Sequence, residues 1–312
     1  MNKLTFAFVF AALVFIAPAH AETVNCNPIT TLPYTINTQG IYCLTGELST
    51  IMTSGNAITI NTNNVVLDLN GFKLGGLGAG PGTQATGIYA NQLQNITIKN
   101  GTVRGFLYGI FLDDVSPYTT SQGHLIEDIR ADQNTLVALL VSGNGNIIRN
   151  NQVVTTRDTT VLGANVSAYG ILVNGPAAQL LNNMVTEVAA QGTGVAFGIN
   201  LNQASNSVVA GNRVSNVTSP NAIAYGIYLI QASNSVVAGN HISIVTSSPI
   251  NTYGIYLSGA SGTDLIVSDN RLSGVFHGIV FFGASTGKYM NNMTQGVTVP
   301  YVGGTAAGTT NY

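Results

Sequence analysis

The segment QASNSVVAGN at residues 203–212 occurs again, letter for letter, at residues 231–240, which is 28 positions later. Each copy follows a short line in which a ring-bearing residue, a glycine and an isoleucine stand together. The glycines of five such lines are separated by 28, 28, 28 and 24 positions, and they are Gly170, Gly198, Gly226, Gly254 and Gly278. A repeat of this length indicates a chain built by stacking copies of one structural unit.

A second pattern, an asparagine followed two positions later by an aliphatic residue, runs in phase with the first. Each unit also contains three short runs rich in β-branched residues, which are separated by turn residues and lack helical spacing. Three short strands in each unit predict one coil of a parallel β-helix, so we expect an all-β solenoid of about 9–10 coils. The asparagines are Asn151, Asn183, Asn212, Asn240 and Asn270, with a degenerate copy at Asn292.

Stacked coils place each side chain directly above its counterpart in the next coil, with neighbouring strands about 4.8 Å apart. In the line YGIYL at residues 225–229, strict alternation sends Tyr225, Ile227 and Leu229 into the core and Tyr228 outward. The asparagines are expected to pass side-chain amide hydrogen bonds from coil to coil. The predicted inward aromatic column consists of Tyr169, Phe197, Tyr225 and Tyr253.

The two ends of the chain carry features of their own. Residues 1–21 have a basic start, a short apolar run and an Ala-His-Ala end, which predict a cleaved signal peptide and a secreted or periplasmic protein. We expect an N-terminal cap at residues 22–56, the β-helix at residues 57–294, and a C-terminal cap or tail at residues 295–312. Cys26 and Cys43 are predicted to form a disulfide worth about 3 kcal/mol, with two unpaired thiols as the alternative.

The composition argues against several classes of partner. Charged residues make up 7% of the chain and the net charge is −2, so bulk electrostatics favour neither nucleic acid nor an anionic membrane. The apolar run near the start is too short to span a bilayer, and no other run approaches its length. We therefore expect a monomer with no membrane span, in which any charge-dependent function is local.

Two further stretches carry a family resemblance, VVLDLNGFKL at residues 65–74 and NITIKNGTVRGF at residues 95–106. Together with the repeats, they resemble the pectate-lyase-like superfamily of right-handed parallel β-helices, in particular its secreted bacterial members. The resemblance implies a right-handed helix and a polysaccharide or cell-surface glycan as the partner. It also implies lyase or epimerase chemistry on an acidic (uronate) glycan as one form of activity. Because this fold also hosts adhesins, activity has to be argued from the site.

Insertions are expected to stack along one edge of the middle coils. The interval from the aliphatic residue after the asparagine turn to the next glycine is 6 positions from Val103 and Leu272, but 17 from Val153 and 12 from Val214. The longer segments predict a wall beside a groove, which is where solenoids commonly bind their partners. Neutral elaboration of a tolerant edge is the alternative.

Two outward columns are expected to border that edge and are candidate glycan-binding groups. Tyr228 and Tyr256 would present stacked rings to the apolar faces of sugars, or would only stabilise neighbouring strands. Arg213, His241 and Arg271 would hold an anionic glycan across a column of like charges, or would form an ordinary solvated face.

The densest group of titratable residues lies between residues 111 and 133, and it supplies the catalytic candidates Asp113, Asp114, His124 and Arg130. A lyase of the resembled superfamily uses calcium held by carboxylates and a base that removes a proton. The resemblance thus makes Ca²⁺ a candidate cofactor at Asp113 and Asp114, although no cofactor is certain. A solvated, turn-rich coil is the alternative, because no catalytic motif of the superfamily is present. His277 is expected to be a core or cap residue.

Three classes of function stay open on the sequence alone. The first is an enzyme acting on an acidic polysaccharide, and the second is a non-catalytic glycan-binding or adhesive surface protein. The third, an ice-binding or structural solenoid, ranks last because no aligned T-x-T ladder marks a flat face. The sequence leaves open whether the protein is an enzyme.

Overall fold

The structure, a computed structural model, describes residues 25–243, 252–259, 263–308 and residue 311. The predicted signal peptide at residues 1–21 lies outside these ranges. The described residues form short strands joined by turns, together with one 3-10 helix at Leu77–Ala79. No helix in these ranges is long and apolar enough to cross a membrane.

One side of the molecule is an eleven-stranded sheet, to which each coil contributes one strand. Neighbouring strands pair in parallel throughout this sheet. With strands numbered along the chain, its members are β2 (Tyr34–Ile36), β5 (Asn56–Ile60), β8 (Thr86–Asn91), β10 (Tyr108–Asp113), β12 (Val137–Ser142), β15 (Ala168–Asn174), β18 (Ala196–Asn202), β21 (Ala224–Ile230), β24 (Thr252–Gly259), β27 (His277–Gly283) and β30 (Val299–Val302).

The rest of each coil belongs to a twenty-stranded sheet that contains two parallel ladders. The first ladder contains β1 (Asn27–Ile29), β3 (Gly40–Leu44), β6 (Val65–Asp68), β9 (Ile96–Arg104), β11 (Leu125–Asp132), β13 (Ile147–Arg149), β16 (Gln179–Leu181), β19 (Val208–Ala210), β22 (Val236–Ala238), β25 (Leu265–Ser268), β28 (Gly287–Met290) and β31 (Thr305–Ala306). The second shares β9 and β11 and adds β4 (Leu48–Ser49), β7 (Lys73–Gly75), β14 (Gln152–Val153), β17 (Met184–Ala189), β20 (Arg213–Thr218), β23 (His241–Ser243), β26 (Arg271–Ser273) and β29 (Met293–Gln295).

The register of these strands confirms the repeat that the sequence predicts. Val208–Ala210 in the first copy of QASNSVVAGN pairs residue for residue with Val236–Ala238 in the second. The coils stack in this way along the described chain, which confirms an all-β parallel β-helix. The ladders extend beyond the predicted limits of residues 57–294, because β1 to β4, β30 and β31 pair with neighbouring coils. Residues 27–49 thus already lie within the solenoid.

The interior is filled by columns of aliphatic side chains. Ile171, Ile199, Ile227 and Ile255 stack in register and are fully buried, as the sequence predicts. Burial of such columns in coil after coil is the main source of stability in a solenoid.

A column of asparagines closes the turn between the two ladders of the twenty-stranded sheet. The backbone N–H and the side-chain amide of each asparagine both donate to Oδ1 of the asparagine in the next coil, at 2.9–3.1 Å. This confirms the predicted asparagine ladder and satisfies backbone donors that lie outside the strands. The ladder runs through Asn151, Asn183, Asn212, Asn240, Asn270 and Asn292.

One prediction about the eleven-stranded sheet is wrong: the aromatic column expected in the core lies on the outer surface. His277, expected to be a core or cap residue, extends the same outer column. The column consists of Tyr169, Phe197, Tyr225 and Tyr253. Phe197, Tyr225 and Tyr253 contact the outward rings of Tyr228 or Tyr256, and Tyr169 stacks on Phe197.

The reason is that the glycine of each line faces the interior. A Cβ added at Gly198 would lie 2.4 Å from Cγ1 of Val214 and 2.7 Å from the carbonyl oxygen of Gly226, so no side chain fits there. The following residue, Ile199, also faces the core. Two successive inward residues shift the alternation by one position, and the ring before the glycine therefore points outward.

Cys26 and Cys43 form the predicted disulfide, with their Cα atoms 5.8 Å apart. The bond joins the residue before β1 to β3, and these two strands are also paired by backbone hydrogen bonds. The disulfide therefore fastens the first strand to the rest of the solenoid.

Candidate functional site

The outer side of the eleven-stranded sheet carries an unbroken column of aromatic rings. Tyr169, Tyr253 and His277 are partly exposed, whereas their neighbours largely cover Phe197 and Tyr225, which are 8% and 9% exposed. In successive coils, the ring centroids of Tyr169, Phe197, Tyr225, Tyr253 and His277 lie 4.8, 5.3, 5.2 and 4.7 Å apart, with interplanar angles of 6–24°. The spacing between strands, about 4.8 Å, sets these distances, so each ring stacks on the next. We call this set the first ring column.

A second ring column runs beside the first. Tyr228 and Tyr256 stand three positions after Tyr225 and Tyr253, and Phe282, which pairs in register with Ser258, continues the column in the next coil. The centroids of Tyr228, Tyr256 and Phe282 follow one another at 5.5 and 5.6 Å. The columns contact each other, since the centroids of Tyr225 and Tyr228 are 4.8 Å apart and those of Tyr253 and Tyr256 are 5.0 Å apart. The two columns form one continuous surface, called the aromatic face below.

The tyrosines of the aromatic face have hydroxyl groups available to a ligand. Within the described residues, no protein group hydrogen-bonds to the hydroxyls of Tyr225, Tyr228, Tyr253 or Tyr256. Burial, with the neighbouring tyrosines adding to it, raises the pKa of Tyr225 and raises the pKa of Tyr256 to about 12. These two phenols therefore stay protonated at physiological pH and can donate hydrogen bonds.

Insertions form a wall along one side of the aromatic face, where the second ladder of the twenty-stranded sheet ends. The loops after β14, β17 and β20 stack on one another. Oδ1 of Asn165 accepts the backbone N–H of Thr193 at 2.9 Å, and Oγ of Ser219 donates to the carbonyl oxygen of Gly194 at 2.8 Å. The predicted stacking of insertions is confirmed for these loops, while the corresponding segment at residues 244–251 lies outside the described residues.

The longest insertion, residues 154–167, folds over part of the eleven-stranded sheet. Its Val161 and Val166 pack with Leu136, Val137 and Leu140 in a small outer hydrophobic cluster. This cluster covers the outer surface of β12 and lies between the aromatic face and a smaller ring group on the preceding coils. Tyr108 and Phe111 on one side and Tyr169 on the other all pack against it. The smaller group contains Tyr89, Tyr108 and Phe111.

Asp113 lies beside this smaller ring group, at the end of β10. Burial raises the pKa of Asp113 above its ordinary value, the N–H of Asp114 opposes the rise, and the charge of Asp114 adds to it. Burial also raises the pKa of Tyr89 and of Tyr108, and the charge of Asp113 contributes to both shifts. Asp113 is thus a partly buried carboxyl group within electrostatic range of two phenols.

The side chain of Asp114 stabilises the loop that follows it by accepting backbone hydrogen bonds. Its carboxylate is 4% exposed and accepts the backbone N–H groups of Val115, Thr120 and Ser121 at 2.9–3.1 Å. Both oxygens are occupied, as in a carboxylate that closes a turn. Asp113 and Asp114 therefore do not present two open carboxylates to one cation. Among the described residues, no group of three or more His, Cys, Asp or Glu side chains could hold a metal ion.

His124 is buried and has both ring nitrogens in hydrogen bonds. Nδ1 accepts the backbone N–H of Ile96 at 3.2 Å, so Nε2 carries the proton and donates to Oγ of Ser121 at 2.6 Å. Burial lowers the pKa of His124 to about 4, although the charge of Asp114 opposes the shift. The ring is therefore neutral at physiological pH, and it links the turn after the eleven-stranded sheet to the preceding coil.

Arg130 lies on a different surface from Asp113. It stands in the second half of β11, where its guanidinium is 3.8 Å from the carboxylate of Asp132. The structure therefore does not bring the four catalytic candidates together. Asp113 is partly exposed on one sheet, Asp114 and His124 are buried, and Arg130 is exposed on the other sheet.

Arg213, His241 and Arg271 form the predicted exposed column, because β20, β23 and β26 pair in register. In the described structure, no carboxylate lies within ion-pair distance of either arginine. The column stands at the start of these strands, beside the asparagine ladder, whereas the insertions follow the ends of the strands. It therefore lies on a different side of the solenoid from Tyr228 and Tyr256, which corrects the expectation that both columns border one edge.

Sequence reasoning missed the first ring column and also a polar group beside it. Asn200 occupies the second-column position between Leu172 and Tyr228 and is 8% exposed. Its Oδ1 has no hydrogen-bond partner within the described structure. A signal was present in the sequence, since this asparagine interrupts a column that is otherwise aliphatic or aromatic from Tyr89 to Val280.

Several solved structures are similar to this chain, among them the following three. ORF18 of Geobacillus virus E2 has a TM-score of 0.59 at 10% identity, covering 89% of this chain and 54% of that one. The Dettilon tailspike protein (gp208) has a TM-score of 0.54 at 14% identity, covering 92% and 62%. The periplasmic alginate epimerase AlgG has a TM-score of 0.51 at 13% identity, covering 86% and 70%. These identities indicate likeness of fold alone, and the chain spans little more than half of each viral protein.

A search of curated proteins gave no match. A family model described as "Right handed beta helix region" matches residues 86–296. This range contains most of the stacked coils and all of the aromatic face. The handedness implied by the sequence resemblance is thereby confirmed, and the chain belongs to the family of right-handed β-helix regions.

Proposed function

We propose that this protein binds polysaccharide on the aromatic face. The observation that carries the proposal is the pair of contacting ring columns on the outside of the eleven-stranded sheet. Sugar rings have apolar faces and polar edges, so they stack on aromatic rings while their hydroxyls pair with phenols and amides. A ring column that repeats once per coil offers the same contact to successive units of a polymer.

The likeness to a tailspike and to an alginate epimerase supports this proposal as an analogy of fold. The positions of the catalytic candidates favour binding over processing. Asp114 and His124 are engaged in structural hydrogen bonds, and Arg130 lies on the other sheet. A glycan-binding protein is therefore the function that the geometry supports best.

The test is retention of the purified protein on a panel of immobilised polysaccharides. The test variant is Tyr228→Ala/Tyr256→Ala, and the matched control is Arg213→Ser/Arg271→Ser, which alters a column of equal register on the other sheet. We expect the tyrosine variant to lose retention and the arginine variant to keep it. Retention that survives the loss of both tyrosines in a folded variant would contradict the proposal.

A second candidate function is processing of the bound chain at Asp113. The observation that favours it is a partly buried carboxyl group with a raised pKa beside two tyrosines, an arrangement suited to proton transfer. The β-elimination or epimerisation of an acidic glycan implied by the sequence resemblance belongs here, with Ca²⁺ as its candidate cofactor.

Incubation with pectin and alginate, with and without calcium, tests this second function. Absorbance of unsaturated products reports elimination, and proton exchange at the sugar C5 position reports epimerisation. Product that forms with the wild-type protein and not with Asp113→Asn would support processing. Absence of both signals in both conditions would contradict it.

A further inference from the structure

The positive charges of this chain are divided unequally between its two sheets. Of the ten lysines and arginines, Lys3 lies outside the described residues, and Arg157 lies in the loop 154–167, where it pairs with Asp158 at 3.2 Å. No strand of the eleven-stranded sheet contains a lysine or arginine. The other eight stand in strands of the twenty-stranded sheet: Lys73, Lys99, Arg104, Arg130, Arg149, Arg213, Arg271 and Lys288.

The segments at residues 244–251 and 260–262, which the structure does not describe, contain no charged residue in their sequence. The described strands of the eleven-stranded sheet contain two groups that titrate below pH 8, His277 and Asp113. Burial lowers the pKa of His277, so its ring is neutral at physiological pH, whereas Asp113 is ionised. A polyanion lying along this sheet would gain no strand cation and would meet one negative charge.

Asn200 adds an independent indication of what the face binds. Its side chain is more than nine-tenths buried, and its Oδ1 lacks a donor, which is uncommon for a buried amide. The oxygen stands between the rings and aliphatic groups of neighbouring coils, next to Tyr228 in register. Only a group with a proton to donate can satisfy it. Sugar hydroxyls are such groups on neutral and acidic glycans alike, so Asn200 indicates a hydroxyl-bearing ligand, and the distribution of charge is what disfavours an acidic one.

In three middle coils the outward position after the second ring column is polar and uncharged, whereas the same register position holds Asp113 in the preceding coil and Ile230 in the following one. Ser142, Asn174 and Asn202 succeed one another in register along β12, β15 and β18. Nδ2 of Asn174 donates to Oγ of Ser142 at 3.1 Å. Hydroxyl and amide groups both donate and accept, so this strip can pair with sugar hydroxyls in either role.

We propose that the aromatic face selects an uncharged glycan, and that the side chain of Asn200, whose Oδ1 is buried in the free protein, turns outward to accept a hydrogen bond from one of its hydroxyl groups. This inference rests on the proposed function and specifies its ligand class. Ring stacking supplies contact area without charge, the phenols and amides supply hydrogen bonds, and the arginine column stays on the opposite sheet. Acidic uronate polymers are therefore not the preferred ligand of this face.

The experiment measures affinity by calorimetry with two series of oligosaccharides of equal length. The uncharged probes are gluco-, manno- and xylo-oligosaccharides, and the acidic probes are oligogalacturonate and oligomannuronate. Each is measured at low and near-physiological salt, because screening weakens charge attraction and leaves stacking unchanged. The variants are Asn200→Leu, Tyr228→Ala/Tyr256→Ala and Arg213→Ser/Arg271→Ser.

We expect at least one uncharged series to bind about tenfold more tightly than either acidic probe, with no salt dependence. Asn200→Leu should weaken that binding about five- to tenfold, because the ligand hydroxyl loses its acceptor. Arg213→Ser/Arg271→Ser should leave it unchanged.

Two outcomes separate this inference from the proposed function. Tightest binding of an acidic probe that depends on Tyr228 and Tyr256 would overturn selection of an uncharged glycan and leave the aromatic face as the site. Failure of every probe to bind, or acidic binding that depends only on Arg213 and Arg271, would overturn the proposed site and the inference with it.

Discussion

The two sheets of this solenoid share one core and differ in what they turn outward. On the eleven-stranded sheet the outward positions form stacked rings, and no strand there carries a lysine or arginine. On the twenty-stranded sheet the outward positions carry eight such residues, among them Arg213 and Arg271 in one exposed column with His241. A single repeat has therefore produced one surface whose strands carry no cation and another whose strands carry most of the charged residues of the chain.

The difference shows which part of a repeat is free to specialise. Inward positions of both sheets face the same dense interior, so nearly all of them are held to aliphatic residues or to glycine. Outward positions have no such requirement. A residue type favoured at one outward position recurs in the next coil in register, so it forms a column along the surface. Specialisation of one outer surface thus leaves the other surface and the core unchanged.

The largest expected effect is on stability, and it comes from a buried residue, His124, that belongs to neither outer surface. His124 binds a proton near pH 6.5 when unfolded and near pH 4 when folded, so protons favour the unfolded chain between these values. The stabilisation from this group is present above pH 6.5 and is lost as the pH falls to about 4, a change of about 3 kcal/mol. We expect His124→Gln to remove this component, measured by urea unfolding across that interval. Parallel pH profiles for the wild type and variant would disprove it.

The next largest effect is loss of glycan affinity when two rings of the aromatic face are removed. Tyr225→Leu/Tyr253→Leu keeps apolar bulk and removes two rings from the first ring column, so stacking with sugars is lost. We expect about a hundredfold loss in glycan affinity by calorimetry, or about 2.7 kcal/mol. The control is Tyr225→Phe/Tyr253→Phe, which keeps the rings and should lose less than tenfold. Equal losses in the two variants would mean that hydroxyl groups, and not rings, make the contact.

A smaller effect is expected at Asn200, where one substitution should increase stability and weaken glycan binding. Asn200→Leu replaces an unpartnered buried amide by the residue found at the same position in the preceding coil, Leu172. We expect the free energy of unfolding without ligand to rise by about 1 kcal/mol, because a buried oxygen no longer lacks a donor. Thermal or urea unfolding measures this change. A destabilised variant would show that Oδ1 is satisfied by solvent in the free protein.

The smallest effect concerns the one carboxyl group in the described strands of the eleven-stranded sheet. Asp113→Asn should raise the weak affinity for an acidic oligosaccharide about twofold at pH 7, since a repulsive charge is removed. In the wild-type protein the same gain should appear as the pH falls, because the raised pKa lets Asp113 take up a proton above its ordinary value of 3.8. The variant should not show this pH dependence. A pH dependence shared by both proteins would point to the ligand instead.

Much of the fold could be predicted from the sequence because the coils repeat one packing problem. The spacing of the glycines and of the asparagines predicts the register in which Ile199, Ile227 and Asn212 stack. The orientation of Tyr225 could not be predicted from alternation, which assumes a regular pleat. The pleat is interrupted where the glycine turns inward, as at Gly198. A glycine kept at the same place in five lines was the available signal of a close backbone approach.

The candidate site was harder to predict because one coil passes around several sides of the molecule. Residues that are close in sequence, such as Asp113 and Arg130, fall on different sheets. Residues that meet in space, such as Tyr225 and Tyr253, are a whole coil apart. A dense cluster in the sequence of a solenoid therefore indicates a coil and not a site.

The asparagine ladder also gives the solenoid two unlike ends. Each asparagine donates two hydrogen bonds toward the following coil, so a stack that stops early would expose unsatisfied N–H groups at its growing end. Such an end would accept any strand with a matching acceptor, including one from another molecule. In this chain Oδ1 of Asn311 accepts the backbone N–H of Asn292 at 3.3 Å. The backbone N–H of Asn292, the last asparagine of the ladder, is thus satisfied from within the chain.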